Sequence, residues 1–98
     1  MTPYILTPLA EQDLIDIWDH IAKDSIEKAR RVISRIEFSL ERLASVPRLG
    51  HFREDLADRR HRFFAVYSYL IVYRSETKPL QVIRIVRAAR DVRTLANE

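Results

Sequence analysis

RFFAVYSYLIVYRSETKPLQVIRIVR, residues 62–87, is the stretch on which the fold turns. It divides into three runs rich in Phe, Tyr, Val and Ile: Arg62–Val66, Tyr69–Arg74 and Leu80–Arg87, parted by Tyr67-Ser68 and by residues 75–79. Aromatic and β-branched side chains favour strands, while Ser, Thr and Pro punctuate them. Connections this short join neighbours antiparallel, so a three-stranded meander is expected. In the last strand, strict alternation sets Ile83 and Ile85 on one face and Val82, Arg84 and Val86 on the other. With helices over the Ile pair, Arg84 is expected on the uncovered face.

Upstream the period changes from two to nearly four. Tyr4-Ile5-Leu6 is a short strand candidate, and Thr7-Pro8 offers a helix cap followed by Pro in the first turn, with Glu11 near the positive dipole end. Ala10, Leu14, Ile17, Trp18 and Ile21 form one helical stripe, which places Trp18 in the core. Asp24-Ser25-Ile26-Glu27 has capping-box spacing and opens a second helix, striped by Ala29, Val32, Ile33, Ile36, Leu40 and Leu43. Pro47 stops it and Leu49-Gly50 turns the chain. The few residues between the stripes predict an antiparallel helical hairpin. Residues 51–61 are polar and without clear period, a loop with room for one helical turn. The order is strand, two helices, three strands (β-α-α-β-β-β), a two-layer α+β fold expected to span residues 1–98 as one domain.

Composition narrows the function. The 98 residues are 47% hydrophobic and 32% charged, ordinary for a globular domain and too apolar for a disordered one. With no Cys there is no disulfide scaffold, thiolate metal site or cysteine nucleophile, and the single Gly rules out a phosphate-cradling glycine loop. Residues 63–73, the longest apolar run, are too few for a membrane span. Met1-Thr2-Pro3-Tyr4 has neither the positive start nor the apolar stretch of a secretory signal, so a cytoplasmic location is expected. The net charge of +3 is unevenly spread: residues 59–93 hold nine basic side chains, eight of them Arg, against Glu76 and Asp91. Arg is suited to bidentate contact with carboxylate or phosphate, so this region reads as a docking surface or as a solvated basic face.

Motifs of enzymes are weak. Asp16 and His20, at i and i+4, are expected to be an ordinary surface pair. His51 and His61, with Glu54, Asp55 and Asp58 between them, match no zinc spacing. None of the serines sits in a nucleophile elbow. No catalytic residue, metal or cofactor is expected. The strongest local signal is Arg84-Ile85-Val86-Arg87-Ala88-Ala89-Arg90-Asp91, where a strand runs into a polar tail.

Taken together, Tyr4, Ala10-x-x-Asp13-Leu14-x-x-Ile17-Trp18, Leu43-x-x-x-Pro47-x-x-Gly50, Arg62, Tyr69-x-Ile71-x-Tyr73-Arg74 and Arg84-Ile85-Val86-x-x-x-Arg90-Asp91 resemble the toxins of the RelE/ParE superfamily. The Arg-Asp ending of the last strand resembles the ParE-like branch, although that branch commonly carries His-Gly where this chain has Arg87-Ala88. The resemblance implies a type II toxin that inhibits growth and stabilises plasmids by binding DNA gyrase, with a cognate ParD-like antitoxin. It implies no membrane partner and no sequence-specific nucleic-acid binding. It assigns Arg62, Arg84, Arg87, Arg90, Asp91 and Arg93 to the target and Trp18, Tyr69, Tyr73 and Arg74 to the antitoxin. Two alternatives accompany it. One is a RelE-type ribosome-dependent mRNA endonuclease, disfavoured because arginines rarely move protons and His61 is the only evident proton carrier near the basic region. The other is a degenerate member that binds its antitoxin and poisons nothing.

Overall fold

The structure, a computed structural model, describes residues 3–88. Its elements are β1 (Tyr4–Leu6), α1 (Pro8–Ala22), α2 (Ile26–Ser45), a 3-10 turn (Pro47–Leu49), β2 (His51–Phe52), β3 (Arg62–Val66), β4 (Tyr69–Arg74) and β5 (Leu80–Arg87). Thr7 caps α1, its hydroxyl oxygen accepting from the Ala10 amide at 3.1 Å. Ser25 caps α2, accepting from the Lys28 amide at 3.1 Å. That position corrects the expected capping box: with Ser25 as the cap, Lys28 and not Glu27 stands three residues on.

Both stripes bury as expected, save one residue. Ala10, Ile17, Ala29, Ile36, Leu40 and Leu43 are buried, and Leu14, Ile21, Val32 and Ile33 pack beside the core. Trp18 is half-buried and belongs to neither core cluster. At about 100° per residue, Leu14, Ile17 and Ile21 fall within about 40° of Ala10, whereas Trp18 lies about 80° away on the stripe's margin.

The sheet has five strands in the order β1-β5-β4-β3-β2. The expected meander of β3, β4 and β5 is antiparallel throughout, and β1 joins it parallel to β5, with Tyr4 opposite Leu80. β2 escaped the sequence because two residues carry no period; it pairs with β3 through His51 and Phe63. One face meets the helices through Val66, Tyr69, Ile71, Tyr73, Leu80, Val82 and Ile85. The other gathers Phe63, Leu70, Val72 and Val86 around Leu56. Leu56 comes from the 51–61 loop, where the Leu56 and Ala57 amides both bond the Arg53 carbonyl, the helical turn that the loop had room for.

A bulge overturns the strict alternation in β5. Val72 pairs with Arg84 but Tyr73 pairs with Val82, so Ile83 is the extra residue. Ile85 therefore faces the helices while Ile83 packs on the opposite face. Arg84 does not point from an uncovered face: its Nε and Nη2 bond the Asp13 carboxylate of α1 at 2.9 and 3.0 Å. The same carboxylate accepts from the Ile85 amide at 2.8 Å, and the Thr7 hydroxyl donates to the Ile83 carbonyl at 2.7 Å. The start of α1 thus gives partners to the Ile83 carbonyl and the Ile85 amide, which lie past Val82, the last β5 residue paired with β1. The consequence is one of parity: Arg87, opposite Tyr69, ends on the helix side of the sheet.

The β3–β4 hairpin turns on Tyr67 and Ser68. Tyr67 has φ 55°, the only positive φ at a non-glycine residue among those described, and is 62% exposed. A residue with a Cβ there costs about 1–2 kcal/mol.

Candidate functional site

Three of the sequence-assigned residues are committed to the fold. Tyr73 is fully buried; its hydroxyl donates to the Pro47 carbonyl at 2.6 Å and accepts from the Gly50 amide at 2.8 Å. Burial raises its phenol pKa above the ordinary value. It has no surface to give to an antitoxin. Gly50 is required beside it, because an added Cβ would stand 2.7 Å from Tyr73 Cε1 and 2.9 Å from the Phe63 carbonyl oxygen. Arg62 shares the helix-side face with Tyr73, donates to the Gly50 carbonyl and the Ser75 hydroxyl, both at 3.0 Å, and holds its Cζ 4.1 Å from the centre of the Phe52 ring. Arg84 is engaged with Asp13 as described. These two arginines, expected at the target surface, tie the β2–β3 end and the β5 bulge to their surroundings.

The remaining assignments divide. Tyr69 is 8% exposed, whereas Trp18 and Arg74 are half-buried and keep some accessible surface. Arg74 Nε is buried with no hydrogen-bond partner among the described residues. Arg90, Asp91 and Arg93 lie outside the described residues. Arg87 is half-buried, at the end of β5.

Arg87 opens onto a groove of about 420 Å³ between the α1–α2 connection and the tip of the β3–β4 hairpin. Ile21, Val32 and Tyr69 give it an apolar lining; Lys28, Arg31 and Arg87 supply three cations against Asp24; His20, Tyr67 and Ser68 complete the wall. The helix hairpin brings the end of α1 and the start of α2 to one end of the sheet, and the β5 bulge sends Arg87 there. Sequence reasoning missed Lys28, Arg31 and Tyr67, and it read His20 as half of an ordinary surface pair. A signal existed: Lys28 and Arg31, at i and i+3, share one helix face beside a two-residue hairpin tip. Asp16 and His20 do not form the expected pair, since Asp16 accepts from Gln12 Nε2 at 2.9 Å and His20 lines the groove.

The other charged cluster lies at the far end of β3, about 16 Å away along a five-residue strand. There Asp58 accepts from Arg60 Nε and Nη2 at 3.0 and 2.6 Å and from the Arg60 amide at 3.0 Å, with His61 Nδ1 3.1 Å away. The Arg60 guanidinium, first among these, holds the Asp58 carboxyl well below the usual carboxylate range. The side-chain hydrogen bonds from Arg53 likewise lower the Asp55 carboxyl. Both acids are solvent-facing, so these pairs shape a loop more than they stabilise the fold. Among the described residues, no group of three or more His, Asp or Glu is placed to hold a metal ion, and no helix is long and apolar enough to cross a membrane.

Comparison with known proteins agrees with the resemblance. A family profile described as the ParE toxin of the type II toxin-antitoxin system, parDE, matches residues 4–92. Among solved structures, a chain of the chromosomal ParDE TA system from P. aeruginosa is similar, with a TM-score of 0.71 at 25% identity over 86% of this chain and 92% of that one. No curated protein sequence matches. The family profile takes in every helix and strand described above, and the chain belongs to the ParE toxin family of type II toxin–antitoxin systems.

Proposed function

We propose that this toxin acts in the cytoplasm by binding DNA gyrase and is neutralised by a cognate ParD-like antitoxin. The observation that carries the reading is the ParE profile match across residues 4–92. The geometry supports it. Arg87 is delivered by a rigid strand to the rim of a preformed groove, where it joins Lys28 and Arg31. Cations fixed on regular elements suit docking onto an anionic macromolecular surface. In this reading Arg87, with Arg90, Asp91 and Arg93 beyond it, faces the target. Arg62 and Arg84 act through the scaffold as positioning residues. Trp18 and Arg74 stay available to the antitoxin.

One observation favours the mRNA-cleaving alternative. The groove places His20 and Tyr67, two side chains able to carry a proton, beside three cations that could stabilise a phosphodiester transition state. Purified toxin incubated with gyrase and relaxed plasmid, and separately with translating ribosomes, tells the two apart. Blocked supercoiling with intact transcripts supports the gyrase reading. Codon-linked cuts in the transcripts, with supercoiling unaffected, transfer the function to the nuclease.

A further inference from the structure

The outer surface of the helical hairpin carries apolar side chains that the core does not use. Ile15 is 53% exposed, Ile26 56% and Phe38 50%, and Trp18 is half-buried outside both core clusters. At about 100° per residue, Trp18, Ile15 and Asp19 stand about 80°, 140° and 180° round α1 from the buried Ala10. Asp13 lies about 60° the other way and reaches the Ile85 amide, so that flank of α1 turns to β5. The Trp18 flank turns to α2, against which α1 packs. On α2, Arg30 and Phe38 stand about 120° and 160° from the buried Ile36, on the side away from the sheet. Apolar groups gathered on one exposed face mark a surface that meets another protein.

Charge points to the partner. α1 holds Glu11, Asp13, Asp16 and Asp19 with no Lys or Arg, a balance of −4. α2 holds five basic side chains against three acids, a balance of +2. An acidic helix beside a basic one is self-complementary, because a two-fold axis parallel to the helices lays α1 of one copy over α2 of another. A two-fold across the helices would lay α1 on α1, acid against acid. Among the described residues, Asp19 and Arg30 are exposed and neither has an ion-pair partner. Size agrees: the 15 residues of α1 give a face about 22 Å long, and two helices about 10 Å wide each make it about 20 Å broad. Two such footprints come to about 900 Å², near the roughly 1,000 Å² at which specific interfaces begin.

We propose that the outer face of the α1–α2 hairpin is the interface of a homodimer. Trp18 and Ile15 lie at its centre, and Asp19 of each copy pairs with Arg30 of the other. A footprint of this size predicts reversible pairing, with a dissociation constant on the order of micromolar. The inference is independent of the gyrase reading. In the dimer Trp18 is covered, so a paired copy withholds that side chain from the antitoxin.

Sedimentation velocity of the purified toxin, from about 1 μM to about 200 μM, reads the association directly. The wild type is expected to pass from monomer to dimer within that range. Ile15→Asp, at an exposed position, is expected to stay monomeric throughout. Asp19→Arg and Arg30→Asp are each expected to weaken the dimer about tenfold or more, and the double variant to regain it, because the swap exchanges the two ends of one ion pair. Asp19→Arg adds a cation to the last turn of α1, where the helix dipole favours it, and thermal melts by circular dichroism check that every variant folds. A wild type that stays monomeric up to about 200 μM, or a dimer that survives in Ile15→Asp, overturns the interface. A double variant that fails to recover overturns the placing of α1 over α2. A monomeric wild type whose binding of the antitoxin is lost in Ile15→Asp gives the face to the antitoxin instead.

Discussion

Replacing Asp13 with Ala removes three hydrogen bonds at once: two from the Arg84 guanidinium and one from the Ile85 amide. The Asp13 side chain is 13% exposed and that of Arg84 23%, so the pair lies between a surface ion pair and a buried one. Exposed pairs contribute about 0–1 kcal/mol, and breaking buried ones costs about 3–5 kcal/mol. Partial solvent access discounts the upper figure, while the bond to the Ile85 amide adds about 1 kcal/mol. The expected loss is about 2–3 kcal/mol. For a domain of this size that lowers Tm by roughly 10–20 °C. Thermal and urea unfolding followed by far-UV circular dichroism measure it, with Asp16→Ala as the control for an exposed acid on the same helix. A loss below about 0.5 kcal/mol, no greater than that of the control, would show that α1 does not clamp the bulge.

Tyr73→Phe keeps the ring and removes the hydroxyl that bridges the Pro47 carbonyl and the buried Gly50 amide. The stranded amide is expected to cost about 1–3 kcal/mol, read as a shift in the urea midpoint at constant m-value. Asp58 is expected to titrate below the ordinary carboxylate value of about 4, and Arg60→Ala to bring its midpoint up; NMR of the side-chain carboxyl follows both. Because the folded-state pKa is lowered, whatever the Asp58 contacts contribute is present above about pH 4 and fades as pH falls through the folded value.

Periodicity carried the fold well where side-chain type repeats on a regular lattice. Arg62–Val66, Tyr69–Arg74 and Leu80–Arg87 have the bounds expected of them, and the two helical stripes bury. It failed where a single residue breaks the lattice. Ile83-Arg84-Ile85 offers no local sign of a bulge, because what holds it is Asp13, some 71 positions earlier in the chain. That separation hid the fate of Arg84, and Arg62 was hidden too, although its acceptors Gly50 and Ser75 stand only 12 and 13 positions away. A guanidinium that binds a target and one that ties strands together look alike until the acceptor is located in space. The resemblance assigns Tyr73 to the antitoxin, and nothing in Tyr69–Arg74 tells that its hydroxyl meets the Gly50 amide. The groove was invisible for a related reason: its wall comes from the end of α1, the start of α2, the β3–β4 tip and the end of β5, brought together only by the tertiary fold.

Titrating the purified toxin against a fixed amount of gyrase in a supercoiling assay tests the binding mode most directly. Inhibition that completes near equal amounts of toxin and gyrase, is independent of incubation time and is reversed by the antitoxin is the expected result. Undiminished supercoiling at large toxin excess, or progressive transcript loss at toxin levels far below those of the ribosome, would contradict it.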